Sequence, residues 1–439
     1  MNRILNILLI QPGWKSHGYR RKIKVDENRI HPLTLGVVAA CSSPHETTLI
    51  DEAIEPVPAD LAKFDLVGIS VNTYVAPKAF ELADNLRNRG LKVVIGGVHA
   101  GLMPEECLQH ADSVVIGYAE DTWPVLLQDF LDGNLKQRYE SCWRNIEMAS
   151  PRRDLFRNRT AKLAYCETTR GCHNSCRFCY LNCLPDKALV FKDIGKVHAE
   201  LDTLSPDIVL FCDDNLFCNR DYAMEMISAI TPLKKHWWIQ APSNIYNDAE
   251  LIKNMSKSGC FSVSIGFQTG SDETNQAEQI YQNNSDRYKA LVDLLHRHQV
   301  LVDGTFIFGF DSDSPTVFRR TEELIRKLGL DSYTFYFLTP YPGTQYMKQP
   351  GSDSLLLTSD WSDFDWDHVI INPKQMTSAE LEKGVVKLYR RLDRLYYPVS
   401  LLKNWRVYTR FMKSPELMRF LTSIGWNYRT SPILPQDLL

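Results

Sequence analysis

The chain has 439 residues and a formal net charge of −3, with 44% hydrophobic and 23% charged residues. This composition is typical of a globular protein with a sizeable core, and the near-neutral charge gives no reason to expect nucleic acid as a partner. No apolar stretch approaches the ~18–20 residues that a membrane-spanning helix needs. The opening sequence MNRILNILLIQPGW has no small-residue cleavage site, so it predicts a buried strand and not a signal peptide. We therefore expect a cytoplasmic protein, in which cysteines stay reduced.

Residues 1–132 alternate short apolar runs with helical patterns. The runs ILNILLI, TTLIDE, LVGISV, KVVIGG and SVVIGY predict strands buried on both faces. Between them, APKAFELADNLRNRG predicts a helix that ends at Gly90. This alternation is typical of a doubly wound parallel α/β sheet, which binds ligands beyond the carboxyl ends of its strands. No G-x-G-x-x-G follows the first strand, so a dinucleotide is not indicated.

Residues 133–160 are polar and arginine-rich, and we interpret them as a linker. Strand–helix alternation restarts within residues 161–348, where KLAYCETT, DIVLFCDD, HWWIQAP, FSVSIGFQ, LVDGTFIFGF and YTFYFLTP predict six strands. Asp193, Asp221 and Asp248 stand where helix N-caps belong. Six such units predict a partial (β/α)6 TIM barrel, whose chemistry sits at the carboxyl ends of the strands.

The region 349–439 predicts a mostly helical tail. Thr377 and Glu380 have the spacing of a capping box, and an amphipathic helical pattern follows them. Beyond it lies a basic segment with the aromatic residues Trp405, Tyr408, Phe411 and Trp426. Two interpretations are open: the tail covers a barrel opening, or it grips an amphipathic, lipid-like substrate.

The stretch RGCHNSCRFCYLNC holds three closely spaced cysteines, Cys172, Cys176 and Cys179, which follow the first barrel strand. Thiolates are the usual ligands of iron–sulfur clusters. Three of them on a 4Fe–4S cluster leave one iron with an open position, where a small chelating molecule can bind. A zinc ion with a distant fourth ligand and a chance grouping of cysteines are the alternatives.

The pattern C-x3-C-x-aromatic-C, with Phe178 as the aromatic residue, resembles the signature of the radical S-adenosylmethionine (SAM) superfamily. Four later segments resemble strand motifs of the subgroup that includes anaerobic Mg-protoporphyrin cyclase and the hopanoid-modifying enzymes. They are FCDDNLF (211–217), FSVSIGFQTGSDE (261–273), TFIFGFDSDS (305–314) and FLTPYPGTQYM (337–347). The motifs occur in order at the spacing expected for a barrel.

The resemblance implies that the three cysteines hold a 4Fe–4S cluster, whose open iron chelates the amino and carboxylate groups of SAM. It further implies a set of SAM contacts: Phe178 against the adenine, Asp213 or Asp214 near the methionine amino group, Ser243 and Asn244 at the sugar, Gln268 from the fourth strand, and the backbone of Ile307, Phe308 and Gly309 at the adenine. The family often has Glu at the position of Gln268. No residue is assigned to substrate catalysis.

Residues 1–132 are similar to the cobalamin-binding domain that precedes the barrel in the same subgroup. The resemblance implies that Gly96 and Gly97 let the backbone approach the nucleotide tail of cobalamin and that Ser70 hydrogen-bonds it. D-x-H-x-x-G, which would supply a histidine to cobalt, is absent because Lys15 stands where His17 would need an Asp. A vestigial domain without cobalamin is the alternative.

The resemblance implies an enzyme that cleaves SAM reductively to a 5′-deoxyadenosyl radical, with electrons from flavodoxin or ferredoxin. Its expected reaction is cobalamin-dependent methylation of an unactivated carbon in a small-molecule or lipid-like substrate. Radical oxidation, cyclisation, ring rearrangement or sulfur insertion without methyl transfer is the runner-up, and a cobalamin or iron–sulfur redox sensor is the alternative of another class. A tRNA-modifying enzyme is disfavoured by the charge. Five further cysteines near the barrel either bind a second cluster or are core residues: Cys166, Cys183, Cys212, Cys218 and Cys260.

Overall fold

The computed structural model describes residues 3–13, 31–156, 163–184, 188–205, 207–348, 355–396, 404–409, 414–415 and 417. Two six-stranded sheets dominate the described part, and the strands of each sheet are parallel to their neighbours. Both sheets have helices packed on them, as the alternating sequence pattern predicts. The predicted α/β fold class is confirmed.

The first sheet is built from residues near the N-terminus. Its strands are β1 (Asn6–Gln11), β2 (Glu46–Asp51), β3 (Leu66–Ser70), β4 (Lys92–Gly96), β5 (Ser113–Ile116) and β6 (Arg138–Glu140), in the order β2-β1-β3-β4-β5-β6. Its helices are α1 (Leu33–Cys41), α2 (Ala76–Asn88), α3 (Val98–Leu102), α4 (Pro104–His110) and α5 (Ala119–Leu131). The strand order reverses between β1 and β3, so the ligand crevice of such a sheet lies at the carboxyl ends of these two strands.

The polar segment interpreted as a linker contributes the last strand of this sheet. β6 pairs with β5 from Val114–Arg138 to Ile116–Glu140. Only Tyr139 of the strand is buried, and its hydroxyl donates to Asp129 Oδ2 at 2.8 Å. One apolar residue between two charged ones gives no periodic signal, which is why the sequence pattern missed this strand.

The second sheet follows the strand predictions closely. Its strands are β7 (Leu163–Cys166), β10 (Ile208–Phe211), β11 (His236–Ala241), β12 (Cys260–Gln268), β13 (Leu301–Phe308) and β14 (Ser332–Phe337), while β8 (Thr169–Arg170) and β9 (Val190–Phe191) form a separate antiparallel pair. The helices between them are α6 (Ile194–Thr203), α7 (Arg220–Ile230), α8 (Ala249–Lys257), α9 (Asp272–Ala277), α10 (Ser285–Arg297) and α11 (Val317–Leu328). The six strands lie in sequence order, so the sheet is the partial barrel that was expected.

Two of the three predicted aspartate caps are confirmed. Asp193 accepts the backbone N–H of Lys196 and Asp248 that of Leu251. The prediction for Asp221 is wrong, because Asn219 caps α7 by accepting the N–H of Tyr222 at 3.0 Å. Asp221 lies within the first turn, where a negative charge is also favourable.

The C-terminal region covers both ends of the barrel. It follows α12 (Gln345–Lys348), the last helix of the barrel segment, and contains α13 (Ser378–Arg391) with its predicted capping box, a π-helical turn (Leu392–Tyr396) and α14 (Trp405–Tyr408). Val407 and Leu417 pack on Leu163 and Leu301, the first residues of β7 and β13. This contact supports the interpretation that the tail closes a barrel opening. Phe411 and Trp426 lie outside the described residues.

Among the residues that the structure describes, none of the helices combines the length and apolar character needed to cross a membrane.

Candidate active site between the two sheets

The three motif cysteines lie in one loop beyond the carboxyl end of β7. Cys172, Cys176 and Cys179 follow β8, and the loop continues into a 3-10 turn at Tyr180–Cys183. The pKa of the Cys179 thiol is raised to about 12, mainly by burial, and the nearby Cys176 and Cys172 contribute in the same direction. The structure therefore brings the three thiols into one neighbourhood, as the sequence motif requires.

Amide donors contact two of these sulfurs. Asn215 Nδ2 lies 3.5 Å from Cys172 Sγ, and Gln282 Nε2 lies 3.5 Å from Cys176 Sγ. A hydrogen bond from the Cys218 thiol is the largest cause that lowers the pKa of Cys172 to about 6. Donors of this kind favour the thiolate, which is the form that binds iron. The chemistry of the donor set fits an iron–sulfur cluster. Within the described ranges, no three His, Cys, Asp or Glu side chains form a group that could hold a single metal ion.

Asp213, expected near the SAM amino group, instead supports the cluster loop from behind. Its Oδ1 accepts the backbone N–H and the hydroxyl of Thr168, both at 2.8 Å, and the N–H of Thr169. The side chain is buried, and burial raises its pKa to about 7. Because these donors occupy Oδ1 inside the fold, Asp213 serves to position the end of β7.

Asp214 lies closer to the cluster cysteines. Its Oδ2 accepts the backbone N–H of Gly171 at 2.8 Å, one residue before Cys172. Burial raises its pKa to about 6, and the charges of Glu167 and Cys172 act in the same direction. Of the two carboxylates at the end of β10, Asp214 is the better placed to face a ligand of the cluster.

A residue that the motif analysis did not single out, Arg177, ties the cluster loop to the far side of the barrel. Its Nε donates to Gln345 Oε1 at 3.0 Å, and its backbone N–H donates to Glu278 O at 3.1 Å. Its guanidinium lies 5.2 Å from the centre of the Tyr346 ring. The loop is therefore fixed at both its start and its middle.

Gln268 ends β12 in a backbone conformation that is uncommon for its residue type. Its φ is 60°, and the register against β13 shifts between Gly266 and Gln268. A Cβ at position 266 would lie 2.4 Å from Gln268 Nε2, so the glycine leaves room for this side chain to fold back. Strained residues of this kind cluster at functional sites, and the contact of Gln268 with SAM stays a prediction.

The expected sugar contacts Ser243 and Asn244 differ in their surroundings. Ser243 Oγ lies 2.7 Å from Asn283 Oδ1 and 3.0 Å from Gln282 O, and the residue is buried. It therefore holds the segment whose Gln282 reaches Cys176. Asn244, by contrast, is exposed to solvent.

The expected adenine contacts separate into two groups. Phe178 and Ile307 pack on one apolar cluster around Phe310, with the rings of Phe178 and Phe310 6.0 Å apart. By contrast, the backbone of the next two residues is engaged within the fold: Phe308 O accepts from Leu338 N at 2.9 Å, and Gly309 N donates to Asp313 Oδ2 at 2.9 Å. The apolar surface at Phe178 is thus better supported as an adenine contact than these two backbone groups.

In the first sheet, Ser70 and Gly96 are paired at the ends of β3 and β4, on the ligand-binding edge. Gly97 has φ of 97°, and a Cβ there would lie 2.8 Å from the backbone N and O of Val71. Its glycine is therefore required by the close approach of the two strand ends, whatever the ligand. His17 and Lys15 lie outside the described residues.

Arg170 joins the two halves of the molecule next to the cluster loop. Its Nη2 lies 2.9 Å from Glu120 Oε1, in α5 of the first sheet, and 2.8 Å from Glu167 Oε2. Its guanidinium also lies 4.8 Å from the ring centre of Tyr118. The carboxyl ends of β5 and β7 therefore face each other across a largely buried charge cluster.

A row of four aromatic residues, which we call the aromatic belt, runs between the same two edges. It comprises Tyr180, Tyr341, Trp366 and Tyr74, with ring centres 6.2, 5.9 and 5.7 Å apart in that order. Tyr180 follows Cys179 in the cluster loop, and Tyr74 follows β3 of the first sheet. Trp366 has φ of 65° and is 37% exposed, both unusual for tryptophan.

A second bridge between the halves is formed by Trp361. Its Nε1 donates to Glu106 Oε1 at 3.0 Å, and Glu106 Oε2 lies 3.3 Å from His99 Nε2. The rings of Trp361 and His99 are 5.5 Å apart, and His99 is fully buried. The C-terminal region thus completes the packing of the first sheet.

The remaining barrel cysteines do not gather around one point in the part of the chain that the structure describes. Cys212 N donates to Cys166 O at 2.9 Å on neighbouring strands, as expected, and Cys260 is buried in the core. Cys183 lies beside Gly343, while Cys218 contacts Cys172.

Comparison with known proteins agrees with this architecture. The radical SAM superfamily profile matches residues 166–325, and the B12 binding domain profile matches residues 23–127. Bacteriochlorophyllide d C-12(1)-methyltransferase from Chlorobaculum tepidum is 28% identical over 92% of each chain. The anaerobic magnesium-protoporphyrin IX monomethyl ester cyclase of Cereibacter sphaeroides is 23% identical over 74% of this chain and 58% of its own length.

A solved structure shares the fold. The radical SAM methyltransferase TsrM from Kitasatospora setae, bound to cobalamin and a [4Fe-4S] cluster, has a TM-score of 0.64 at 15% identity, covering 78% of this chain and 77% of its own. The present chain is thus an enzyme of the radical SAM class. It belongs to the radical SAM superfamily, in the subgroup with an N-terminal cobalamin-binding domain, and its cofactors are a 4Fe–4S cluster, SAM and cobalamin.

Proposed function

We propose that this protein is a cobalamin-dependent radical SAM methyltransferase that adds a methyl group to an unactivated carbon of a tetrapyrrole. The aromatic belt supports the choice of substrate class, because it places four aromatic rings between the cluster loop and the cobalamin-binding sheet, and its Trp366 is 37% exposed. Aromatic side chains favour offset or edge-on contacts with other π systems. Two relatives named above act on bacteriochlorophyllide d and magnesium-protoporphyrin, which are planar macrocycles.

The proposed division of the chain assigns cofactor binding to residues 1–132 and 161–348. Residues 133–160 join them and add the edge strand β6 to the first sheet, and residues 349–439 cover the barrel. Cys172, Cys176 and Cys179 would hold the cluster. The proposed SAM contacts are Asp214, Asn244, Gln268, Phe178 and Ile307, and the proposed cobalamin contacts are Ser70, Gly96 and Gly97. When bound, these cofactors would supply radical chemistry at an unactivated carbon and a methyl group for transfer to it.

The chain's own side chains position these groups and exclude water. Arg170 and its partners Glu120 and Glu167 fix the first sheet against the cluster loop. Tyr180 and Tyr341 form an apolar wall next to that loop, which would keep solvent from a reactive intermediate. Flavodoxin or ferredoxin is the proposed reductant. The cytoplasm is the proposed location, because its reducing conditions keep cysteines in the thiol form that iron–sulfur ligands need.

The test uses anaerobically purified protein, reconstituted with iron and sulfide and mixed with reductant, SAM, cobalamin and a chlorophyllide-type substrate. We expect 5′-deoxyadenosine, S-adenosylhomocysteine and a product that carries a deuterated methyl group from labelled SAM. Cys172→Ser should lose the cluster and all products, whereas Cys142→Ser, at an exposed cysteine of the first domain, should not. Deoxyadenosine with an oxidised or cyclised product and no label would instead support the cyclase-type reaction. No deoxyadenosine from protein with a full cluster would contradict both.

A further inference from the structure

His368 forms a hydrogen-bonded pair with a buried carboxylate outside the residues assigned to the cofactors. Its Nδ1 lies 3.0 Å from Asp365 Oδ1, which also accepts the backbone N–H groups of Asp367 at 2.9 Å and His368 at 3.1 Å. The Asp365 side chain is 1% exposed. Three donors on one oxygen fix the carboxylate, and the carboxylate fixes the orientation of the imidazole ring.

The opposite edge of the ring is available to a ligand. The His368 side chain is 32% exposed, whereas the Asp365 side chain that contacts Nδ1 is only 1% exposed. Within the described residues, Nε2 has no hydrogen-bond partner. Metal-binding histidines have this arrangement, with one ring nitrogen donating to a carboxylate and the other binding the metal. The hydrogen bond to Asp365 also raises the pKa of His368.

This pair belongs to the wall that carries the aromatic belt. Trp366 lies between Asp365 and His368 in sequence, and its indole contacts the rings of Tyr74 and Tyr341. The charge of Asp365 contributes to the raised pKa of both tyrosines, after burial as the main cause. Residues two apart along a chain lie within about 7 Å of each other between Cα atoms, so His368 is close to the exposed ring of Trp366 in the belt.

We propose that His368 Nε2 is the axial ligand of the central magnesium of the tetrapyrrole substrate. The inference rests on the substrate class of the proposed function. It adds that the His368 imidazole makes the protein bind the magnesium-containing macrocycle more tightly than the metal-free one. The ring nitrogens of such a molecule bind magnesium in one plane and leave its axial positions open. Neutral His368 donates the Nε2 lone pair to the metal, while its Nδ1 proton stays on the hydrogen bond to Asp365. No covalent bond breaks and no electron is transferred.

The test compares the binding of a magnesium chlorin and of its metal-free counterpart to the anaerobic holoenzyme. We expect wild-type protein to prefer the magnesium form by roughly tenfold or more, and His368→Gly to lose this preference without a change for the metal-free form. Added imidazole should restore the preference in His368→Gly. Resonance Raman spectroscopy of the bound chlorin should report an axial nitrogen ligand in the wild type and in the rescued variant.

His110→Gly is the matched control, because His110 Nδ1 also pairs with a carboxylate, Asp84, at 2.9 Å, but on the α2–α4 side of the first sheet. It should keep the full preference for magnesium. Equal affinity of wild-type protein for both chlorins, or an undiminished preference in His368→Gly, would overturn the assignment even if methylation is observed. If the preference for magnesium depends on His368 but no methyl transfer is observed, the role of His368 as the magnesium ligand is supported and the proposed reaction is contradicted.

Discussion

The Asp213 carboxylate, at the end of β10, accepts both the backbone N–H and the hydroxyl of Thr168, at the end of β7, at 2.8 Å. Two adjacent strands are thereby fixed to each other just before the cluster loop begins. Asp213, one of the two carboxylates that the resemblance implies near the SAM amino group, therefore supports the segment that carries the cysteines.

Replacing this carboxylate should weaken both the fold and the cluster site. In Asp213→Ala, the buried donors of Thr168 and Thr169 lose their acceptor, at a cost of about 1–3 kcal/mol for each group left unpaired. We expect a lower melting temperature and less iron per chain after reconstitution. Asp213→Asn retains an acceptor oxygen and should lose less of both. Wild-type iron content in Asp213→Ala would contradict the supporting role.

Substitutions of Gln268 can distinguish the effect of backbone strain on stability from the effect of a lost side-chain contact on SAM cleavage. Its φ of 60° suits glycine, so Gln268→Gly should be more stable than Gln268→Ala by about 1 kcal/mol in chemical unfolding. Both variants lack the side chain, and we expect both to cleave SAM more slowly to a similar extent. If Gln268→Ala cleaves SAM at the wild-type rate, the side chain does not contact SAM.

Gly97 and Gly101 form a matched pair in the cobalamin-binding domain. A Cβ at position 97 would lie 2.8 Å from the Val71 backbone in a left-handed conformation, so Gly97→Ala should destabilise the domain by at least about 2 kcal/mol. In the described part of the chain, no atom outside the local helix backbone and the two neighbouring residues lies within 4 Å of a Cβ at position 101, so Gly101→Ala should be neutral or stabilise by up to about 1 kcal/mol. Thermal unfolding measures stability, and the absorbance of retained cobalamin reports on the site. Similar losses in both variants would contradict the proposed packing of β3 and β4.

His99 should make the protein sensitive to mild acid. Burial lowers its pKa below the ordinary 6.5, although Glu106 opposes part of this shift. Below 6.5 the unfolded chain therefore binds a proton that the folded chain resists, and the free energy of unfolding falls as the pH falls. The urea midpoint should decrease between about pH 7.5 and about pH 5.5, and His99→Gln should show a smaller decrease. If the urea midpoint decreases equally in the wild type and in His99→Gln, a group other than His99 causes the acid sensitivity.

The features that could be predicted from the sequence are those that depend on local patterns of residues. All six barrel strands carry continuous or alternating apolar runs, and Cys172, Cys176 and Cys179 are close along the chain, so both features could be recognised. The first residue of a helix is less clearly marked, because Asn219 and Asp221 are both good caps and only the path of the chain decides between them.

The missed features are those that form only after folding. Tyr74, Tyr180, Tyr341 and Trp366 come from distant segments, and nothing near any of them in sequence predicts that they meet. Arg170 and Glu120 likewise form an ion pair across two domains. The hydrogen bonds of Asp213 and Ser243 inside the fold could not be predicted, because a strand-end polar residue has the same sequence signature whether it faces a ligand or holds a neighbouring loop.

The contact of Trp361 with Glu106 and His99 also has a consequence for how the chain folds during its translation. The cobalamin-binding sheet leaves the ribosome first, yet the indole that packs on its buried histidine comes from a segment made after the whole barrel. The packing of the first domain around His99 therefore stays incomplete until most of the chain has been translated. Its final packing is reached only after the barrel that must face it has also been made.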